Sequence, residues 1–309
     1  MLFRSAGWRC HKFGAYVNPE FFKKQLKFDF FRVARFLWVL NTCIFISGFL
    51  GNWIWILDNI SQFLVQQTLV SVFFFILFFT RSRPISLISG SIFLIGIFSI
   101  FFPLREKIDT NIKNSKTYTL MSFNVLSSNS HYSKLVEYVH EKEPDFLLLL
   151  EVNQNWNDAI EPLNKIYPSK LSSIRSDNFG IVFLSKIAFD HSQIISFSEY
   201  GVPSAIAYLN ISNKKLIIIG THTLPPTSRS YWIDRNNHLN YLQNFARKQG
   251  QPVIITGDLN VTPWSRIGSQ LFMDTIRYNI LDAIKNPTWP AVLYPFGISI
   301  DHILYSDSV

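Results

Sequence analysis

Three long stretches in the first third of this chain carry no charged side chain. The gaps from Arg35 to Asp58, from Asp58 to Arg81 and from Arg83 to Arg105 hold 22, 22 and 21 residues. A helix needs about 20 apolar residues to cross a hydrocarbon core. The runs therefore predict three transmembrane helices over roughly 36–57, 61–80 and 85–104, with a short loop at 58–60. A buried helical core is the competing reading, and three adjacent runs of this length argue against it. Trp38, Trp53 and Trp55 are placed for an interfacial aromatic belt. The lead before the first run is too long for a cleavable signal peptide.

After residue 116 the pattern changes. Residues 118–125 read as a strand, and 131–142 as a helix with Leu135, Val136 and Val139 at helical spacing before Pro144 stops it. Residues 146–150 are continuously apolar, as in a strand covered on both faces. Further strands are expected at 181–184, 205–211, 216–219, 253–256 and 298–304, and helices at 155–165, 231–248 and 270–278. Strands and helices mix without strict alternation. The fold class is an N-terminal three-helix transmembrane region followed by an α/β domain, with two packed mixed β-sheets flanked by helices in a four-layer sandwich.

Charge orients the first half and qualifies the second. Residues 1–104 hold 10 of the 29 Lys and Arg but only 3 of the 21 Asp and Glu, so most of the net +8 lies there. That excess belongs to topology and anionic headgroups rather than to a nucleic-acid footprint. Basic residues crowd the lead and recur at Arg81 and Arg83, so the positive-inside rule puts the N-terminus and second loop in the cytoplasm. Three crossings then put the soluble domain outside. The expected divisions are a basic cytoplasmic tail at 1–35, three membrane helices within 36–104, a polar linker at 105–116 and the soluble domain at 117–309. Cys10 and Cys43 both precede the soluble domain, which therefore has no disulfide and no thiolate metal site.

Chemistry gathers where the expected strands end. Asn124, Glu151 and His222 each follow an apolar run, as does Gly257-Asp258-Leu259-Asn260. Sites in layered α/β folds sit at such ends. Glu151 with the Asn124 amide oxygen suits a hard cation that keeps several waters. Asp258 and Asn260 lie two apart and share a face if extended. The first can orient or deprotonate a water, and the second can donate to a phosphate oxygen. His222 can donate to phosphate and oppose developing charge. His11, His131, His140, His191 and His238 lack such a context and are given no role.

In order and spacing these segments resemble the endonuclease/exonuclease/phosphatase family over roughly 118–305. The resemblance runs through Ser122-Phe123-Asn124-Val125, Asp145 to Glu151, Phe179 to Lys186 and Thr221-His222. It continues in Gly257-Asp258-Leu259-Asn260-Val261-Thr262-Pro263-Trp264-Ser265, Thr288-Trp289-Pro290 and Ile300-Asp301-His302-Ile303-Leu304. The Thr-Pro-Trp-Ser extension, the Thr-Trp-Pro and the membrane lead look most like a bacterial membrane-anchored branch. The resemblance implies Mg²⁺ or Mn²⁺ held by Glu151 and Asn124. It also implies water aligned by Asp258, phosphate held by Asn260 and His222, and support from Asp301.

Two departures stand out. Leu150 takes the place of the family's usual Gln before the metal-binding Glu. The family's last strand ends in Ser-Asp-His, whereas this sequence ends Tyr305-Ser306-Asp307-Ser308-Val309. The expected reading is a natural chain that continues past Val309; recruitment of His302 to the substrate, or an impaired protein, are the others. The expected function is a membrane-anchored, metal-dependent phosphoester hydrolase acting on a lipid headgroup, small molecule or nucleic acid. Its partner is the lipid bilayer, and no protein partner is implied. The alternatives are a non-catalytic module that binds phosphate or headgroups, and a membrane scaffold.

Overall fold

The computed structural model describes residues 19–102, 117–274, 276–277 and 280–306. The expected linker at 105–116 and most of the N-terminal tail lie outside the described residues. Four helices come first: α1 (Pro19–Gly48), α2 (Trp55–Ser61), α3 (Leu64–Phe78) and α4 (Arg83–Phe101). Two helical stretches, Phe30–Gly48 and Arg83–Phe101, are long and apolar enough to cross a membrane. The α2–α3 pair is bent by 63°, and a third span results if the pair counts as one.

The first two expected spans are thus redrawn. The stretch 36–57 ends as helix at Gly48, and the anticipated loop at 58–60 is inside α2. Asp58 and Gln62 are buried there rather than facing solvent. Trp38 also links two helices, because its indole Nε1 donates to Ser89 Oγ at 3.0 Å. Where α3 meets α4 the contact is small and polar. A Cβ on Gly96 would lie 2.2 Å from Thr68 Oγ1, so these backbones approach as closely as glycine permits. Phe36, Leu69, Ile76 and Leu94 point outward, each more than 60 % exposed.

The α/β part begins with β1 (Leu120–Asn124), α5 (Tyr132–Lys142), β2 (Phe146–Leu150), α6 (Gln154–Ala159), β3 (Ser169–Ser173) and β4 (Ile181–Ser185). It continues with β5 (His191–Ser196), β6 (Pro203–Ile211), β7 (Lys214–His222), α7 (Arg229–Arg247), β8 (Val253–Asp258) and α8 (Arg266–Asp274). β9 (Ile276–Arg277), α9 (Ile280–Lys285) and β10 (Asp301–Ser306) complete it. One sheet has the order β1-β2-β4-β3 and the other β5-β6-β7-β8-β10-β9. Both mix parallel and antiparallel pairs, as the sequence reading expected.

Period-two alternation explains the layers. In β2, Phe146, Leu148 and Leu150 face the second sheet and meet Ala205, Ala207 and Ile218. Leu147 and Leu149 face the other way and pack with Val139 of α5 and Trp156 of α6. All five are buried, so the unbroken apolar run reflects cover on both faces. The outer face of the second sheet, through Ile217, Ile219 and Ile255, packs on Leu239 and Leu242 of α7. Each such side chain contributes roughly 1.5–3 kcal/mol by leaving water.

Candidate active site

Register brings the expected residues to one end of the sandwich. β1 and β2 run parallel with Asn124 opposite Leu150, so Glu151 follows directly beside Asn124. β7 and β8 run parallel with His222 opposite Asp258, and antiparallel β10 places Asp301 opposite Asp258. The sheets pack face to face, and their ends meet around an open cavity of about 650 Å³. Asn124, Glu151, His222, Asp258, Asn260 and Asp301 all line it.

Hydrogen bonds tie the two sheets together at this point. The Asn124 amide Nδ2 donates to Glu151 Oε1 at 2.8 Å and to Asp258 Oδ2 at 3.3 Å. Ser127 N donates to Glu151 Oε2 at 3.2 Å. Asp258 Oδ1 accepts from Asn260 N at 3.0 Å, an Asx-type turn. Asp258 Oδ2 lies 3.6 Å from His222 Nε2. Asn260 Nδ2 donates to Thr223 O at 2.9 Å, which fixes the amide plane.

The backbone is unusual where these residues gather. Glu151 has φ 60° and Asn260 φ 48°, both left-handed, a conformation that costs a non-glycine residue energy and persists when neighbours over-determine it. Gly257 has φ 137°, and a Cβ there would fall 1.9 Å from Thr221 O. Only glycine lets β8 turn its end into the cavity.

Burial governs the charges. It pushes the Asp258 carboxyl up to about 7, with Glu151 adding to the rise and the Asn260 and Asn124 donors opposing it. Asp301 also rises to about 7, first from desolvation and then from the charge of Asp258, against the Thr288 hydroxyl. His222 moves down, because burial outweighs the pull of Glu151 and Asp301. Its imidazole is therefore a neutral donor near pH 7.

One expected residue lies elsewhere. His302 alternates to the other face of β10, is 3 % exposed, and its Nε2 is 2.7 Å from Val261 O. The expectation that it faces a substrate is corrected by the strand's period of two: Asp301 points to the cavity, so its neighbour cannot. Burial lowers His302 to about 4, which suits a structural imidazole.

Two residues carried no sequence signal. His238 of α7 is buried behind the site, with Nε2 2.9 Å from Thr221 Oγ1. It steadies the strand end that carries His222, and burial holds it neutral at about 4. Arg235, one turn earlier, is wholly buried and donates from Nη1 to Asn260 O at 2.6 Å. In the sequence both look like ordinary members of a polar helix. Trp289 and Val292 form an exposed apolar rim on the cavity.

The donor chemistry fits a hard cation. Among the described residues no three His, Cys, Asp or Glu side chains form a ready cage. Mg²⁺ needs none, since it usually takes one or two carboxylates and keeps its waters. Glu151 supplies the carboxylate. Asn124 can supply an amide oxygen after a half-turn of its side chain, since Oδ1 now accepts from Leu126 N at 3.1 Å.

Comparison with known proteins agrees with this architecture. No curated protein matches the sequence. Among solved structures, D. rerio TDP2 humanized by 14 mutations is similar with a TM-score of 0.52 and 17% identity, over 62% of this chain and 84% of that one. D. rerio TDP2 complexed with single-strand DNA product gives 0.50 and 17%, over 62% and 84%. An endonuclease/exonuclease/phosphatase from Beutenbergia cavernae gives 0.51 and 14%, over 62% and 65%. At such identities these likenesses speak to the fold. Residues 121–309 match the Endonuclease/Exonuclease/phosphatase family itself, whose named activities all cleave phosphoesters, and the chain belongs to that family.

Proposed function

We propose that this protein is a membrane-anchored phosphoester hydrolase that depends on a divalent metal. The observation that carries the reading is the meeting of Asn124, Glu151, His222, Asp258, Asn260 and Asp301 around one cavity, from strands of two sheets. Glu151 and Asn124 hold Mg²⁺ or Mn²⁺. When bound, the metal neutralises charge on the phosphoryl oxygens. Asp258, raised to about 7, is poised near neutrality to orient the attacking water and take its proton. Asn260 and neutral His222 donate to phosphate oxygens, and Asp301 supports the pair from β10. Water attacks phosphorus in line, the P–O bond to the leaving group breaks, and the leaving oxygen collects a proton.

Anchoring by α1, α3 and α4 is supported by their outward apolar side chains, such as Phe36, Ile76 and Leu94. Asn59 Nδ2 donates to Pro226 O at 2.7 Å, so the α2 corner touches the α/β domain. Two crossings separate that corner from the domain, which returns the chain to the same side of the bilayer. With the basic tail in the cytoplasm, that side is extracytoplasmic.

The test is hydrolysis of bis(p-nitrophenyl) phosphate by the full chain in detergent. Turnover that requires Mg²⁺ or Mn²⁺ and is lost on chelation and in Glu151→Ala is the expected result. Turnover that survives both removes the metal role. Phosphate binding without turnover makes the domain a binding module instead.

A further inference from the structure

The corner between α2 and α3 reaches further into the α/β domain than an anchor requires. Asp58 and Gln62 are 2 % and 4 % exposed, and neither is buried by its own helices alone. Asp58 Oδ2 accepts from Trp232 Nε1 at 3.1 Å and from Arg235 Nη2, both on α7. Arg235 in turn donates from Nη1 to the carbonyl of Asn260. Gln62 Oε1 accepts from Thr262 N at 2.7 Å and Thr262 Oγ1 at 2.8 Å. Gln62 O accepts from Trp264 Nε1 at 2.7 Å. One corner of the helical region thus holds the backbone at residues 260 and 262 and the indole of Trp264.

We propose that this corner is a positioning element of the phosphoester site: Asp58 sets Asn260 through Arg235, while Gln62 fixes Thr262 two residues on. The inference rests on the function proposed above and adds that the membrane region helps to shape the site as well as anchoring it. A fully buried guanidinium needs a countercharge, and Asp58 is its ion-pair partner among the described residues. The guanidinium is a flat, rigid fork, so its hold on Asp58 fixes the direction in which it meets Asn260 O. Asn260 needs that hold, because φ 48° is retained only where the surroundings impose it. Its side chain faces the cavity, so a small rotation there moves the amide away from a phosphate oxygen. A misplacement of about 1 Å can cost a rate factor of about a hundred.

The experiment uses the full chain in detergent or lipid nanodiscs. Asp58→Asn keeps the acceptor and removes the charge. It is expected to lower kcat by roughly tenfold to a hundredfold, with KM and Mn²⁺ affinity little changed, since Asn124 and Glu151 sit on the other sheet. Asp58→Glu should recover part of the loss. The deciding measurement is a double-mutant cycle. In an Asn260→Ala background, Asp58→Asn should lower kcat no further, because the link has nothing left to position. Wild-type kcat in Asp58→Asn, or losses that multiply in the double variant, would overturn the proposal.

If Asp58→Asn does not fold, Gln62→Ala takes its place in the cycle with the same two readings. If the unmodified chain shows no turnover, the proposed function is what fails. The link is then read by ³¹P NMR titration of inorganic phosphate: weaker binding in Asp58→Asn supports it, and unchanged binding overturns it.

Discussion

The helical region and the α/β domain solve opposite problems with the same side chains. In the domain, Leu147 to Leu150 are wholly buried between layers and polar residues face outward. In the helices, Leu94 and Phe98 of α4 are 67 % and 61 % exposed, while Ser86 and Ser89 are turned inward. Water drives the first arrangement through the hydrophobic effect. In the bilayer setting proposed above, lipid cannot distinguish a leucine from its own tails, so the second would rely on close packing of small residues and on hydrogen bonds such as Trp38 to Ser89. The difference teaches that burial has to be read against the solvent each region meets.

The site breaks the domain's own rule, since it buries acids, and it gives the largest expected effect. Glu151→Ala should lower activity by at least about a thousandfold and abolish Mn²⁺ binding by calorimetry. The regional contrast is tested by one substitution made twice. Leu148→Ala, between the sheets, should cost about 3 kcal/mol in denaturant unfolding. Leu94→Ala, on the outward face of α4, should cost under about 0.5 kcal/mol in the same detergent. Equal costs would erase the contrast.

Asp258→Asn sharpens the point from within the site. Activity should fall about a hundredfold or more. Measured in chelator, stability should rise at pH 8 by roughly 1–3 kcal/mol. A carboxyl raised from 3.8 to about 7 by folding binds its proton more tightly in the native state. Its contribution is therefore present below pH 4 and lost as pH climbs through 7, so the variant's advantage should vanish near pH 4. An advantage constant with pH would remove burial as the cause.

The smallest effect concerns the corner itself. Asn59→Ala removes one part-buried hydrogen bond, to Pro226 O, and should cost roughly 1 kcal/mol by thermal unfolding of the full chain.

Much of this was legible in the sequence, for physical reasons. Strands covered on both faces, such as 146–150 and 181–184, advertise themselves by unbroken apolar runs, and polar residues at their ends mark the cavity. Two of the edge strands do not. Ser169–Ser173 is half-exposed and low in β-forming residues, and His191–Ser196 flanks the second sheet in the same way. The helix expected at 270–278 begins earlier, at Arg266, and gives way to the short strand Ile276–Arg277. The break after Ser61 was also hidden. Nothing local requires it, because Asp58 and Gln62 take their partners from residues some two hundred positions away. The charge on Asp58 read as a loop marker, whereas its cause is Arg235.

The separations along the chain have a consequence for assembly. Asn124 meets Asp258 across 134 residues, and Asp58 meets Arg235 across 177. Contacts so distant in sequence form slowly, since the intervening chain must first be closed into loops. No fragment emerging from a ribosome or an insertion machine holds the assembled candidate site until β10 has docked beside Asp258. The candidate site should therefore be absent from any shorter fragment and assemble in one event.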